Sequence, residues 1–357
     1  MEKRSNNRRL KVSILVPVYN TERFLAECLD SLVGQTLKEI EIICINDGST
    51  DGSLGILQRY AKDDKRIRIL NKKNTGYGDS MNVGLSEATG EYIGIVEPDD
   101  FVEFDTFEKM YLVAKENDAD VVKANFYEYS TAKKGDIHKS ELFLKAEVGK
   151  VISTRECRHI FYQQPSVWSA IYRRGFLEKN EIRFLPSVGA SYQDAGFSFK
   201  VFATAKRVYY VDEAFLHYRC DNPNSSVKSE GKIYAVKDEY DEVEKYLGER
   251  GLMETFGPTL AIVRMGGYIW NMRRLTKKTA LEFGKVAEAD YARYKKVGYL
   301  QAEGLEKDAE FIVNNLAIRD PKKFVKVRFW YELNDKTKTK LLRAYKALIK
   351  HDERRKK

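Results

Sequence analysis

Apolar and polar positions alternate along the first third of the chain in two kinds of block. Val-Ser-Ile-Leu-Val at residues 12–16 is a short β-branched run closed by Pro17, the pattern of a buried strand that stops at a loop. Asn20 or Thr21 then serves as a helix cap. Phe24, Leu25, Cys28, Leu29, Leu32 and Val33 fall on one face of a helix that ends near Gly34. Residues 40–45, Ile-Glu-Ile-Ile-Cys-Ile, read as a second buried strand, with Asp47-Gly48-Ser49 as its turn. The alternation continues with a helix over 52–61, a strand at Ile67–Leu70, a Gly-rich loop, a helix over 79–88, a strand at Tyr92–Val96, a helix over 106–117 and a strand from Val121. This pattern predicts an α/β fold, a mostly parallel sheet flanked by helices, with ligands beyond the carboxyl ends of the strands.

Later segments read differently. Residues 131–150 form a polar, Lys-rich excursion, and 151–220 mix aromatic, Gly and polar residues in the manner of a substrate-side lid. From Ile233 the pattern turns helical, which places a boundary near 228, between an α/β domain (1–227) and a helical region (228–357).

Charge sharpens this division. The chain carries a formal +9, yet residues 321–357 hold fourteen Lys or Arg against four Asp or Glu, so residues 1–320 are close to neutral. Lys340, Arg343, Lys346 and Lys350 fall near one another on a helix whose other side offers Leu341, Leu342, Tyr345, Leu348 and Ile349. The basic segment suits an anionic membrane surface or partner. Nucleic acid is disfavoured, because basic and stacking residues are not interleaved across the main domain. No run of ~18 apolar residues occurs, and the charged start lacks a signal-type apolar segment, so a cytoplasmic protein is expected, peripheral at the inner face of the membrane if the tail engages lipid. Four scattered cysteines, with no Cys-x-x-Cys pair, argue against zinc or redox work.

The chemistry-bearing residues follow the strands. They are Pro17-Val18-Tyr19-Asn20, Asn46-Asp47-Gly48-Ser49, Asn74-Thr75-Gly76-Tyr77-Gly78 and Glu97-Pro98-Asp99-Asp100. Asp47 can accept hydrogen bonds from a base, glycines admit a ligand close to the backbone, and the acidic group can hold a divalent ion on a diphosphate. Taken alone, Asp47-Gly48 is more often a simple turn. Gly76-x-Gly78 lacks the third glycine and the position of a dinucleotide fingerprint, which argues against a Rossmann dehydrogenase.

Val12–Asn20, Glu41–Asp51 and Gly90–Phe101 together resemble the family 2 glycosyltransferases, of the GT-A fold, closely over residues 10–125 and more loosely to 227. The resemblance implies that Pro17, Tyr19 and Asp47 hold the nucleoside of a sugar-nucleotide donor, with Val18, Asn20, Gly76 and Asn82 completing the donor set. Glu97, Asp99 and Asp100 stand where the family's acidic motif carries ribose, diphosphate and metal, with Asp99 as the ligand to Mg²⁺ or Mn²⁺. Two departures stand out. Glu97 replaces the family's first aspartate, and Asp79-Ser80-Met81-Asn82 lacks the arginine of the usual Ala-Arg-Asn, a charge for which Arg219 or the metal must compensate. Ser191-Tyr192-Gln193-Asp194-Ala195-Gly196-Phe197 resembles the segment that supplies the catalytic base, which implies Asp194; read without the resemblance, Asp194 serves equally as a helix cap. His217 is a third metal ligand, a diphosphate donor or a satisfied core histidine. Trp168 stacks on an acceptor sugar or fills the core.

The expected function is metal-dependent, inverting transfer of a sugar from a nucleoside diphosphate, UDP first, to the hydroxyl of a carbohydrate or lipid-linked acceptor in cell-surface polysaccharide or glycoconjugate synthesis. A homo-oligomer is a further expected partner. The alternatives are a sugar nucleotidyltransferase, disfavoured by the absence of a Gly-rich triphosphate loop after the first strand, and a non-catalytic sugar-nucleotide-binding subunit.

Overall fold

A computed structural model describes residues 9–187, 189–222 and 233–300. The chain opens with β1 (Val12–Val18), α1 (Leu25–Val33), β2 (Ile40–Asp47), α2 (Ser53–Asp63), β3 (Ile67–Lys72), α3 (Tyr77–Glu87) and β4 (Tyr92–Ile95). β1 pairs in parallel with β2 and β4, and β2 with β3, as the alternating pattern predicts. β1 and β2 are buried at every position because helices cover both faces of the sheet, so they read as continuous apolar runs. The expected cap at Asn20 or Thr21 is not one. The helix begins after Phe24 without a side-chain cap, and Asn20 is instead bonded to the loop after β2.

The second half of the sheet departs from the expected lid. After β5 (Phe101–Val102), α4 (Thr106–Glu116), β6 (Val121–Ser130), β7 (Gly135–Lys139) and β8 (Val151–Ile152), β9 (Ala170–Arg173) enters antiparallel between β4 and β6. Following α5 (Arg174–Lys179) and α6 (Gln193–Thr204), β10 (Val208–Arg219) lies parallel to β6. Among the described residues the sheet order is β3-β2-β1-β4-β9-β6-β10-β5, with β7 on β6 and β8 on β10. Residues read as a covering segment thus build the centre and far side of the sheet.

The helical pattern after Ile233 is realised as α7 (Ala235–Glu249), α8 (Met253–Arg274) and α9 (Lys277–Lys296). The first compact unit runs to Thr259, past the boundary placed near 228, because α7 packs on α6: the Tyr246 hydroxyl donates to the Asn180 carbonyl at 2.9 Å and lies 3.2 Å from the Thr204 hydroxyl. The second unit spans 260–357 and is described as far as Leu300. In it Arg264 is fully buried, donating to the Tyr268 hydroxyl at 2.7 Å and to Asp290 at 2.5 Å. The basic segment 321–357 lies outside the described residues, as do residues 223–232.

Candidate active site

The parallel strands deliver their chemistry at their carboxyl ends. Asp47 closes β2 opposite Lys72, the last residue of β3. It is 5% exposed, and Oδ1 accepts from Lys72 Nζ at 2.5 Å and from the Thr75 N–H at 2.9 Å, while Oδ2 accepts from the Gly76 N–H at 2.9 Å. Gly76 turns at φ +102°, a conformation side chains disfavour, which aims its N–H at the carboxylate. Next to this segment Pro17 and Val18 are buried at the end of β1, whereas Tyr19 is 49% exposed. Asn20 ties the two loops together, its Oδ1 accepting from the Thr50 N–H at 2.8 Å and its N–H donating to Ser49 Oγ at 3.1 Å.

The acidic loop follows β4. Glu97 Oε1 accepts from the Tyr77 hydroxyl at 2.7 Å, and the Tyr77 N–H donates to the Gly189 carbonyl at 3.2 Å, so Tyr77 joins this loop to the one that precedes α6. Gly78 permits the junction, since a Cβ there would stand 2.0 Å from the Leu185 carbonyl oxygen. Burial pushes the Glu97 carboxyl up to about 8 despite the Tyr77 bond, with Asp99 and Asp194 adding like-charge repulsion. Asp99 Oδ2 accepts from Asn222 Nδ2 at 2.7 Å. Asp100 is buried, with Oδ1 accepting the Arg219 N–H at 2.8 Å and Oδ2 lacking any partner; burial, then the neighbouring Asp99, hold its carboxyl well above the usual range.

Asp194 stands in the first turn of α6, after Tyr192 at φ +63°, and its Oδ1 accepts the Ala195 N–H at 2.9 Å. Burial raises its pKa to about 6, against the pull of backbone N–H groups. Its charge is felt at both Glu97 and Tyr77, so the expected base and the acidic loop are neighbours. Gln193, where the family often has Glu, is a loop brace: its Nε2 donates to Ser187 Oγ at 2.7 Å and to the Gly189 carbonyl at 3.0 Å.

Four expected residues have other work. His217 is stacked on Phe101 and Tyr127, and its Nδ1 and Nε2 lie 2.7 Å from Asp136 and 3.0 Å from Glu103, which takes both ring nitrogens away from a metal on Asp99. Arg219, only 4% exposed, is spent on holding the acidic loop: its guanidinium donates to the Asp99 carbonyl at 2.8 Å, to Glu27 at 2.5 Å and to the Thr131 hydroxyl, beneath the rings of Phe24 and Tyr129. Asn82 exchanges two hydrogen bonds with the Phe184 backbone. Trp168 is half-buried, stacked on Tyr218 at 5.1 Å and edge-on to Phe126, which is the core reading of that residue. Lys72 is the residue that sequence reasoning passed over, and Tyr77, quoted within the third post-strand segment, was given no role of its own. The pair Gly76 and Gly78 around Tyr77 was the available signal; Lys72 had none beyond its place at a strand end.

The acidic loop fits a divalent cation in the manner of magnesium, held by one or two carboxylates with substrate phosphates supplying other ligands. Asp100 Oδ2 is buried without a partner, and burial first, then nearby like charge, raises the carboxyls of Glu97 and Asp100, so a cation beside them would stabilise their charged forms. Among the described residues no group of three His, Cys, Asp or Glu side chains stands ready to hold a metal without a substrate.

A parallel sheet whose strand ends gather a braced aspartate, an acidic loop and a separate carboxylate concentrates acidic groups at the edge where open α/β sheets take their ligands. The profile described as Glycosyl transferase family 2 matches residues 13–201, more than half of the chain. The chain belongs to glycosyl transferase family 2, and its fold is of the GT-A type. It is 37% identical over 219 residues to EpsJ of Bacillus subtilis (strain 168), described as an uncharacterized glycosyltransferase, covering 60% of this chain and 62% of EpsJ. It is 30% identical over 250 residues to glycosyltransferase GlyA of Streptococcus pneumoniae serotype 4 (strain ATCC BAA-334 / TIGR4), covering 68% of this chain and 35% of GlyA. The chain thus spans less than two thirds of these relatives. Its fold is similar to that of S. aureus TarS 1-349 in complex with UDP-GlcNAc, with TM-score 0.53 and 20% identity over 85% of this chain and 91% of that one.

Proposed function

We propose that the protein transfers a sugar from a uridine diphosphate donor to an acceptor hydroxyl with inversion, in the synthesis of a cell-surface polysaccharide or glycoconjugate. The observation that carries this reading is the convergence, around Tyr77, of the acidic loop Glu97–Asp100 and the Asp194 loop, beside the strand end that carries Asp47. Tyr19 and Asp47 receive the nucleoside. Asp99, with Asp100 beside it, would hold Mg²⁺ or Mn²⁺, which when bound neutralises charge on the departing diphosphate. Asp194 takes the proton of the acceptor hydroxyl as that oxygen bonds to the anomeric carbon, and the pair of the broken carbon–oxygen bond leaves with the diphosphate. Arg219 and Asn222 keep the acidic loop in place. The basic segment 321–357 is proposed to bring the enzyme to an anionic membrane bearing the acceptor.

A panel of nucleoside-diphosphate sugars tests the reading through donor hydrolysis with Mg²⁺, Mn²⁺ or chelator. A uridine donor is expected to be turned over only with metal, and Asp99→Ala is expected to weaken metal-assisted UDP binding by at least about tenfold. Equal UDP affinity with and without metal sinks the metal assignment; turnover of a guanosine or thymidine donor alone sinks the uridine one.

A further inference from the structure

The ammonium of Lys72 is enclosed between two carboxylates. Besides Asp47 at 2.5 Å it meets Asp79 at 3.1 Å, Ser80 Oγ at 3.2 Å and the Thr75 hydroxyl, and it borders an open cleft of about 570 Å³ whose lining includes Asn46, Gly48, Asn71 and Asn74. Asp79 is the acidic residue in the first turn of α3, in the segment where the family's arginine is missing. The cation near the nucleoside side is therefore Lys72, and it faces Asp47.

A carboxylate offers about four acceptor positions, about two on each oxygen. Lys72 and the Thr75 N–H fill Oδ1, and the Gly76 N–H takes one position on Oδ2, which leaves a single acceptor position, on Oδ2. A uracil ring presents one N–H between two carbonyls and needs one such position. Guanine presents a ring N–H and an amino N–H side by side, a pair that matches both oxygens of a carboxylate at once. With Oδ1 filled, the second guanine N–H would be buried without a partner, and discrimination by such an orphaned donor is strong. We propose that Lys72 is a specificity-determining residue of the donor site, filling one oxygen of Asp47 so that the site reads a single ring N–H. This rests on the assignment of Asp47 to the nucleobase made above.

Calorimetric titration of the full chain with UDP and with GDP, both with Mg²⁺, tests it in wild type, Lys72→Met and Lys72→Arg, with thermal melts to check folding. Wild type is expected to prefer UDP. Lys72→Met vacates a position on Oδ1, so the UDP-to-GDP affinity ratio is expected to fall about tenfold or more, while Lys72→Arg, which keeps a donor on Oδ1, retains most of it. A ratio that stays fixed in Lys72→Met, whether both affinities drop together or neither moves, overturns the role of Lys72 and leaves the uridine reading standing. A wild type that prefers GDP, or binds neither nucleotide, overturns the uridine reading and this assignment with it.

Discussion

At the scale of single residues, burial and partners set what each charged group of the site can do. The motifs around Asp194 and Asp99 marked both as candidates. Arg219 and His217 were legible as candidates only, because their occupants (Glu27, Thr131, Glu103 and Asp136) are distant in sequence and are brought close by β10 lying beside β5 and β6. Gln193, standing where the family often has Glu, puts no second carboxylate next to Asp194 in sequence. Burial raises Asp194 to about 6, which still leaves it largely ionised at neutral pH. Because the base form is the deprotonated one, transfer at saturating donor is expected to rise with pH through about 6 and level off above it. Asp194→Asn is expected to lower transfer by ~10²–10⁴-fold and to abolish that acid limb while UDP affinity survives. Loss of donor binding or of folding in step with activity would return Asp194 to a helix-terminus role.

At the scale of elements, the parallel strands were readable because burial on both faces makes their apolar runs continuous. β9 was not readable: four residues, Ala-Ile-Tyr-Arg, enter antiparallel without a crossover helix to announce them. Nor was the packing of α7 on α6. There Glu239 is 1% exposed, neither carboxylate oxygen has a partner, and Oε2 lies where a Cβ on Gly196 would be, 2.2 Å away. Burial pushes Glu239 up to about 9, partly relieved by Lys200. Between the ordinary glutamate value of 4.5 and about 9 the unfolded chain has released a proton that the folded chain keeps, so stability falls as pH rises through that window. Glu239→Gln removes this dependence. Its melting temperature relative to wild type is expected to climb steadily from about pH 5 to about pH 9; parallel curves for the two proteins would show that Glu239 does not titrate in this range.

At the scale of the whole molecule, composition separated a nearly neutral body from a basic segment. Deleting residues 321–357 is expected to abolish sedimentation with vesicles rich in anionic lipid and to leave hydrolysis of a soluble donor unchanged; sedimentation that persists after the deletion removes the membrane proposal. The sheet itself has a consequence for how the protein is made. β4 and β6 are joined only through β9, at residues 170–173, although both are synthesised long before it. The emerging chain can complete β3-β2-β1-β4 from near neighbours in sequence, but it carries β4 as an open edge until Arg173 has left the ribosome. An unpaired strand edge is a template for pairing with other chains. Synthesis through residues 96–170 is therefore the interval in which this protein most depends on speed of elongation and on chaperones, and β9, a four-residue strand between β4 and β6, is the step that ends it.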